Sequence, residues 1–475
     1  MKERERLTDI IFSGAVFKVL YITLGFLSFN GYTYYQPWMR YITWGVVIYG
    51  TLICAYRLIY YKKYLKTPHL ILGIMFIASG FFTLLVNYKY GLIESVQGLV
   101  WLTLQMLVLY AVDTQKSREK TLAELRYIGT FFVLLTSLSS LTSLLMFAKR
   151  FGKLVVLSKN EVVMRGFILG RLWGVFTDPN YASVTVIISG LFSLYFIKKA
   201  NSILIKILNV VALLASFLYL VFSDSRTGYV TMFAAVAVFF FFSLSQKKAK
   251  KKEMKNLIVL HIVPSLLALS LAVSSLAFTV ATKKAYNYAV TTHSSTGGTS
   301  SGKPGPNFEI KRESEEESTD ISNRRLSIWN SGKEIFLKAP VFGVGFRNIV
   351  AAAKDKAPET YIINNDFTDF NAFHNMWIDI LVSQGLVGLL TFLLFALACA
   401  HSLFKTYKRL LKKELEGIGE FALLSSIATA CLVSSLFLSD TVFVNTQNSV
   451  IFWTALGFLM NMSLHKDTPV TDSFE

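Results

Sequence analysis

Residues 204–222 read LIKILNVVALLASFLYLVF, and a stretch of this kind decides the fold of the chain. A helix needs about 20 predominantly apolar residues to cross the hydrocarbon core of a bilayer. Comparable runs recur along the 475-residue chain, which is 53% hydrophobic. They predict twelve transmembrane helices, at 9–29, 38–56, 70–88, 93–112, 127–147, 181–197, 204–222, 229–245, 257–281, 374–400, 421–439 and 446–464. Irregular backbone is excluded from lipid and no alternating pattern supports a β-barrel, so the predicted class is an all-α polytopic membrane protein.

The Lys and Arg residues predict the orientation of these helices, because cytoplasmic loops carry an excess of them. Loops on one side of the predicted spans hold 26 Lys and Arg residues, whereas the short loops of the other side hold only Arg40, Lys89 and Arg226. Both termini are therefore predicted to be cytoplasmic. The net charge of +18 mostly reflects this topology, and nucleic-acid binding is a poor explanation of it.

Spans and loops divide the chain into five parts. They are helices 1–5 within residues 1–147, an extracytoplasmic basic loop at 148–180, helices 6–9 at 181–281, a large extracytoplasmic loop at 282–373, and helices 10–12 with a cytoplasmic tail at 374–475. Within the large loop, residues 291–320 are rich in Ser, Thr and Gly and then acidic, which predicts disorder. These two loops depart from the charge rule, and we therefore expect the functional residues there.

The basic loop offers candidate anion ligands and a helix start. Residues 166–176 are apolar around a single cation, Arg171, and are predicted to lie in the membrane interface or dip into it. Arg165 precedes this stretch among several other cations. Asp178 is a predicted N-cap of the next helix, with Pro179 at its first position.

Residues 223–228 read SDSRTG and place Arg226 at the start of a transmembrane helix. The first N–H groups of a helix lack partners, and the dipole end there is positive. An anion would meet both a guanidinium and a helix N-terminus, a combination that suits phosphate oxygens. The alternative is that Arg226, like Arg171, anchors lipid headgroups.

Residues 374–388, HNMWIDILVSQGLVG, place His374 and Asn375 where a long polar loop becomes an apolar helix. His374 can take a proton from a hydroxyl or fix its orientation at neutral pH. Asn375 can orient a sugar or cap the helix. The alternative is that His374 is an interfacial residue without a chemical role.

A short amphipathic helix is predicted within residues 322–336, ending before Pro340. It begins with Arg324 and Arg325, which the sequence alone does not separate. The segment 343–345, Gly-Val-Gly, predicts a turn whose backbone N–H groups could meet an anion.

Three blocks together resemble the superfamily of O-antigen ligases and Wzy-type polysaccharide polymerases of bacterial envelopes. The blocks are RLWGVFTDPN at 171–180, SRTG at 225–228, and His374-Asn375 followed by Gly385 and Gly388. Further matching residues are Arg325, Trp329, Pro340, Gly343 and Gly345. The resemblance covers about residues 160–465, within which 291–320 looks like an insertion.

The resemblance implies glycosyl transfer at the outer face of the cytoplasmic membrane of a bacterium. The donor would be an oligosaccharide on polyprenyl pyrophosphate, and the acceptor would be a hydroxyl of a second lipid-linked saccharide. Such a reaction needs no nucleotide sugar, cofactor or metal, and it implies a flippase and a chain-length regulator as partners. The residues implied are His374 for catalysis, Arg171, Arg226, Arg165 and Arg325 for pyrophosphate binding, and Asn375, Asn180 and Asp178 for sugar binding or orientation.

Three functions fit these expectations to different degrees. The leading one is a polymerase of capsular or exopolysaccharide repeat units, and the second is a ligase that moves finished glycan to another acceptor. The composition, rich in Lys, Phe and Asn, indicates an AT-rich genome and slightly favours the polymerase. A lipid-linked-sugar flippase is the third, but transporters usually have two related halves and polar residues near the midplane. Here the polar residues gather on one face.

Overall fold

The computed structural model describes residues 12, 14–158, 161–250, 261–296, 308–311, 324–365, 369–412 and 417–464. Its helices follow the apolar runs of the sequence. They are α1 Gly14–Ser28, α2 Met39–Ile59, α3 Tyr61–Tyr64, α4 Leu70–Asn87, α5 Leu92–Leu104, α6 Arg118–Ala148, α7 Pro179–Lys199, α8 Ile203–Ser223, α9 Arg226–Lys250, α10 Val263–Thr296, α11 Arg325–Lys338, α12 Ile349–Lys356, α13 Met376–Lys412, α14 Ile418–Ser434 and α15 Gln447–Leu464. A 3₁₀ turn (Tyr88–Tyr90) follows α4, another (Phe346–Asn348) precedes α12, and a π-helical turn (Gln105–Tyr110) extends α5.

The class predicted from the sequence, a polytopic all-α membrane protein, is confirmed. Among the described residues, nine helices are long and apolar enough to cross a membrane: α2, α4, α5, α6, α7, α8, α9, α10 and α13, with the adjoining turns counted for α4 and α5. The other three predicted spans coincide with α1, α14 and α15, of which α1 and α14 are shorter apolar helices. Helix α6 begins at Arg118, earlier than predicted, because Ser117 caps it by accepting the N–H of Lys120.

The basic loop folds into a three-stranded antiparallel sheet, which the sequence analysis missed. Its strands are β1 Gly152–Ser158, β2 Glu161–Ile168 and β3 Arg171–Gly174, in the order β1-β2-β3. Leu169 and Gly170, between β2 and β3, have φ angles of 52° and 65°. Two left-handed residues are what a tight type I′ hairpin turn requires. The apolar stretch 166–176, which was expected to be an interfacial segment, is therefore mostly a β-hairpin. The turn of this hairpin fixes the position of Arg171, the first residue of β3.

Gly385 interrupts α13 with φ 67° and ψ −163°, a conformation outside the helical region. At the break, two carbonyls before Gly385 and two N–H groups after it form hydrogen bonds outside the helix, and the segment 340–345 supplies the partners. These backbone hydrogen bonds measure 2.8–3.2 Å and join Val344 N to Val382 O, Gly345 N to Ser383 O, Leu386 N to Pro340 O, and Val387 N to Val341 O. Every backbone polar group at a helix break in a membrane protein needs such a partner.

The same hydrogen bonds overturn one expectation. The N–H groups of Val344 and Gly345 donate to α13, and that of Gly343 donates to the carbonyl of Ala339 at 3.0 Å. The N–H groups of residues 343–345 therefore all have partners within the protein, and those of residues 344 and 345 bond to the broken part of α13. The prediction that this turn binds an anion is wrong.

Residues 308–311 pack against α10 and the hairpin. The Asn287 side chain donates to the carbonyl of Ile310 at 3.2 Å and accepts its N–H at 2.9 Å. Ile310 is completely buried, and the ring of Phe308 stacks on that of Phe167 at 5.6 Å. The disorder expected over 291–320 therefore does not hold for 291–296, which belong to α10, or for 308–311. Residues 297–307 and 312–320 lie outside the described part of the chain.

Segments far apart in sequence meet at one end of the helix bundle, called the site end below. It comprises residues 171–181, 223–226, 373–379 and 435–446. The N–H of Met376 donates to the carbonyl of Ser435 at 2.9 Å, and the Tyr181 hydroxyl donates to the carbonyl of Ser439 at 3.4 Å. The N–H of Thr177 also donates to the carbonyl of Phe29, at the end of α1.

Candidate active site

The side-chain carbonyl of Asn180 joins two of the three sequence blocks. Its Oδ1 accepts a hydrogen bond from Arg171 Nη2 at 3.1 Å and another from Ser225 Oγ at 3.0 Å. Asn180 is the second residue of α7, Arg171 opens β3, and Ser225 precedes α9. Blocks that are separated by about 50 residues therefore converge on one oxygen atom, and Ser225 joins the candidate residues that the sequence analysis had named only as part of a motif.

Arg171 is held in a fixed orientation at the site end. Besides its bond to Asn180, its Nε donates to the carbonyl of Ser223 at 2.8 Å, at the C-terminal end of α8. A helix C-terminus carries partial negative charge, so a guanidinium is favourable there. Two hydrogen bonds from different nitrogens fix the plane of the guanidinium group.

Arg226 occupies the first position of α9, as predicted, and its side chain is exposed. Ser225 caps this helix, because its Oγ accepts the N–H of Gly228 at 3.0 Å. Asp224 has a φ of 46° and turns the chain between α8 and α9. Its carboxylate pairs with the ammonium group of Lys283 on α10 at 2.8 Å. These contacts anchor the turn, which places Arg226 at the positive end of a long helix.

Asp178 caps α7, which confirms the N-cap prediction, and Pro179 is the first helical residue. The Asp178 Oδ1 accepts the N–H groups of Asn180 at 2.6 Å and Tyr181 at 3.2 Å. This cap fixes where Asn180 points, and it places a carboxylate at the site end.

His374 is positioned through the residue before it. Phe373 is completely buried, its N–H donates to Asp379 Oδ1 at 2.8 Å, and its carbonyl accepts from Trp329 Nε1 at 3.0 Å. Asp379 also accepts a hydrogen bond from the Ser439 hydroxyl. His374 itself has a φ of 51°, a left-handed conformation that costs a non-glycine residue about 1 kcal/mol or more. The hydrogen bonds of the Phe373 backbone to Asp379 and Trp329 hold His374 in this conformation.

The imidazole of His374 is half-buried, and its surroundings favour the neutral form. Desolvation lowers the pKa of His374, the Asp178 carboxylate opposes this effect, and the Arg325 guanidinium adds to it. Neutral imidazole is the form that can accept a proton at physiological pH. The interaction with Asp178 also links His374 to the helix start that carries Asn180.

The structure separates Arg324 from Arg325. Arg325 is half-buried at the start of α11, lies 5.7 Å from the centroid of the Phe437 ring, and interacts electrostatically with His374. Arg324 is exposed and has a φ of 67°. Of the two, Arg325 is the one whose charge lowers the pKa of the predicted catalytic residue.

Asn375 caps α13, one of the two roles predicted for it. Its Oδ1 accepts the N–H groups of Trp377 at 3.0 Å and Ile378 at 3.3 Å, and its Nδ2 donates to the carbonyl of Leu436 at 3.2 Å. The residue therefore anchors the start of α13 to the segment that follows α14.

Arg165 is not brought together with the other predicted pyrophosphate ligands. Its Nε donates to the carbonyl of Gly31 at 2.9 Å, its Nη2 donates to the Tyr35 hydroxyl at 2.9 Å, and its guanidinium covers the ring of Tyr32 at 4.0 Å. These partners all lie on the segment between α1 and α2. Arg165 ties that segment to the sheet.

Asp440 is a buried acid at the site end that the sequence analysis missed. Its carboxylate accepts from Thr446 Oγ1 at 2.9 Å and from Asn448 Nδ2 at 3.0 Å. Burial raises the pKa of Asp440 to about 7, and the Asp178 carboxylate contributes in the same direction. The predicted span 421–439 ended beside it, whereas α14 ends at Ser434. The polar residues 439–441 and 445–448 were the available signal.

A cavity of about 290 Å³ adjoins this network. It lies between the start of α7, the segment after α14, and the 3₁₀ turn that precedes α12. Its polar lining includes Tyr181, Arg347, Ser439 and Asn445. Because the N–H of Tyr181 donates to the Asp178 cap, this cavity adjoins the start of α7.

Comparison with known proteins bears on the chemistry of this site. The family model described as O-antigen ligase matches residues 211–393. The match confirms the resemblance to the O-antigen ligase and Wzy-type superfamily, and it supports a membrane glycan enzyme of the ligase or polymerase type. Arg226, Arg325 and His374 fall within the matched range, whereas Arg171 and Asn180 precede it. No curated protein matches the chain.

Proposed function

We propose that the protein joins oligosaccharide repeat units, carried on polyprenyl pyrophosphate, into a capsular polysaccharide or exopolysaccharide at the outer face of the cytoplasmic membrane. The observation that carries this proposal is the convergence of the three blocks at the site end. Asn180 joins Arg171 to Ser225, and the neighbouring Asp178 interacts with His374. The family match supports the same type of chemistry.

The donor half of the reaction belongs to the arginines. When the bond between the anomeric carbon and the phosphate oxygen breaks, its electron pair leaves with polyprenyl pyrophosphate, and negative charge grows on the phosphate oxygens. Arg171 and Arg226 are cations of the site end, and Arg325 on α11 adjoins it through Phe437 and His374. We assign these three arginines the stabilisation of this charge. Preorganised donors of this kind often contribute about 10²–10³ in rate.

The acceptor half belongs to His374. A hydroxyl oxygen of the second saccharide forms the new bond to the anomeric carbon, and its proton passes to the neutral imidazole. The Asp178 carboxylate favours the imidazolium that results, because it raises the pKa of His374. Displacement in one such step inverts the configuration of the anomeric carbon. The cavity beside Tyr181 is where we place the acceptor sugar.

A ligase would use the same site to move finished glycan onto another acceptor, and it is the second candidate function.

The deciding experiment is the deletion of the gene, followed by analysis of the surface glycan. Single repeat units on the surface are the result expected for a lost polymerase. Full-length chains retained on the lipid carrier would instead identify a ligase, and repeat units trapped inside the cell would identify a flippase.

An assay with purified protein separates the chemistry from export. The full chain is incubated with a polyprenyl-pyrophosphate-linked oligosaccharide, and products are resolved by size. We expect longer lipid-linked chains together with released polyprenyl pyrophosphate, and no extension by the variant His374→Ala. Extension at the wild-type rate by that variant would remove His374 from the mechanism.

A further inference from the structure

A second polar cavity lies at the end of the bundle opposite the site end. Its volume is about 490 Å³. It is enclosed by the start of α1, the end of α2, the segment between α5 and α6, the start of α6 and the end of α15. Because α1, α6 and α15 each reach the site end with their other terminus, the two cavities are a helix length apart.

The lining of this cavity is strongly cationic. Five basic side chains face it against two carboxylates: Lys18, Arg57, Lys63, Lys116 and Lys120 against Asp113 and Glu124. Glu124 is already neutralised twice, since one oxygen pairs with Lys18 at 2.8 Å and the other pairs with Lys116. Lys63 and Lys120, the two lining cations that are not buried and not paired with Glu124, form no ion pair with a carboxylate among the described residues.

Arg57 is the buried feature that points to a ligand. Its side chain is only 7% exposed, yet it pairs with no carboxylate among the described residues. Its Nη1 donates to the carbonyls of Leu107, Val108 and Ala111 at 2.6–3.0 Å, its guanidinium covers the Tyr64 ring, and its Nε has no hydrogen-bond partner. Asp113 and Glu124 attract this cation, but Glu124 is shared with Lys18 and Lys116. Burying a cation that lacks a direct ion pair is costly, and an anion in the adjoining cavity would offset that cost.

The start of α6 adds a second attraction for anions. Ser117, the N-cap of this 31-residue helix, lines the cavity together with Lys120 and Thr121, which lie near the helix start. The N–H groups of a first turn carry partial positive charge, which favours phosphate oxygens. Guanidinium, ammonium and helix N-terminus therefore meet around one enclosed space.

We propose that this cavity binds a phosphate group, supplied either by the headgroup of an anionic phospholipid or by phosphate free in solution. The proposal rests on the lining of the cavity and does not depend on the reaction assigned to the site end. Arg57 holds the innermost oxygens, and Lys63 and Lys120 attract the anion at the opening.

The test uses the purified full-length chain in nanodiscs and measures its melting temperature. One arm adds phosphatidylglycerol to phosphatidylcholine discs, and the other adds inorganic phosphate or pyrophosphate to phosphatidylcholine discs, with chloride matched for ionic strength. A rise in the first arm alone identifies the lipid source, and a rise in the second identifies the soluble one. No rise in either arm would overturn the proposal.

The double variant Lys63→Gln, Lys120→Gln makes the test specific to the cavity. Each lysine near an anionic group contributes about 1 kcal/mol, so we expect the apparent affinity to fall roughly thirtyfold. The matched control is Lys66→Gln, Lys405→Gln, which removes two exposed lysines at the same end of the bundle but outside the cavity. Equal responses of the two double variants would show nonspecific attraction and refute the site.

Discussion

His374 is the residue whose protonation sets the expected pH dependence. Desolvation lowers its pKa below 6.5, so the imidazole is neutral at pH 7. We expect the rate of chain extension to be constant near neutrality and to fall about tenfold per pH unit once the pH drops below the lowered pKa, since the protonated ring cannot accept a proton. Initial rates measured against pH with the purified enzyme check this.

The variant His374→Ala provides the control for that profile. Loss of a general base typically costs about 10²–10⁴ in rate, and the residual rate should lose its acid limb. The pKa of Asp440 is raised to about 7, so this group is the competing assignment. An acid limb that persists near pH 7 in His374→Ala would show that a group other than His374, such as Asp440, sets the titration.

Arg325 and Arg324 form a matched pair for testing the phosphate-binding assignment. Arg325 is half-buried and acts electrostatically on His374, whereas Arg324 is exposed. We expect Arg325→Ala to lower the extension rate by about 10²-fold, and Arg324→Ala to change it by less than about threefold. The rates are compared at equal amounts of folded protein. If both variants behave alike, Arg325 acts only as a surface charge.

At the scale of the element, apolar runs were enough to predict the helices, because the cost of exposing polar backbone to lipid leaves few alternatives. The β-hairpin and the end of α14 depend instead on features of a few residues each. The hairpin depends on the left-handed backbone conformation of Leu169 and Gly170. The apolar sequence around Arg171 indicated an interfacial segment, so this turn was not predicted. The end of α14 at Ser434 was missed because the apolar character continues to Leu438, although the polar run begins only one residue later.

The break in α13 gives a testable prediction for one glycine. A Cβ on Gly385 would lie 2.2 Å from the Val341 carbonyl oxygen, and its φ of 67° already disfavours any other residue. Gly385→Ala should therefore expel the segment 340–345 and lower the melting temperature markedly, at a cost of about 3 kcal/mol or more. The control is Gly45→Ala, where a Cβ meets no atom within 4 Å. Equal melting temperatures for both variants would show that the hydrogen bonds between the segment 340–345 and the break in α13 do not stabilise the fold.

At the scale of the whole molecule, the candidate site exists only in the folded bundle. The sequence motifs named Arg171, Arg226, Arg325 and His374, but periodicity gave no means of bringing them together. Asn180 does so through its one side-chain oxygen, which accepts from two segments at once. Arg165 belonged to the same cationic loop, and only the fold shows that it binds the segment after α1. Tertiary contacts of this kind follow from packing, which motifs and hydrophobic periodicity do not reveal.

The orientation of the bundle is the prediction on which the proposed reaction depends most. The excess of Lys and Arg in the loops opposite the site end predicts that the site end faces outside. In a variant without Cys54, Cys399 and Cys431, Lys153→Cys on β1 should react with a membrane-impermeant maleimide in intact cells, whereas Lys405→Cys should react only after permeabilisation. Both positions are exposed, so access depends on the side of the membrane.

The reversed labelling pattern would place His374 and the arginines in the cytoplasm. Repeat units carried on polyprenyl pyrophosphate would then meet the site before export, and a polymerase of exported units would be ruled out even if the purified protein extended chains. The cationic cavity would in that case face outside. Its phosphate could still come from either source, so its nanodisc test is independent of this result. Labelling therefore distinguishes failure of the proposed reaction from failure of the phosphate site.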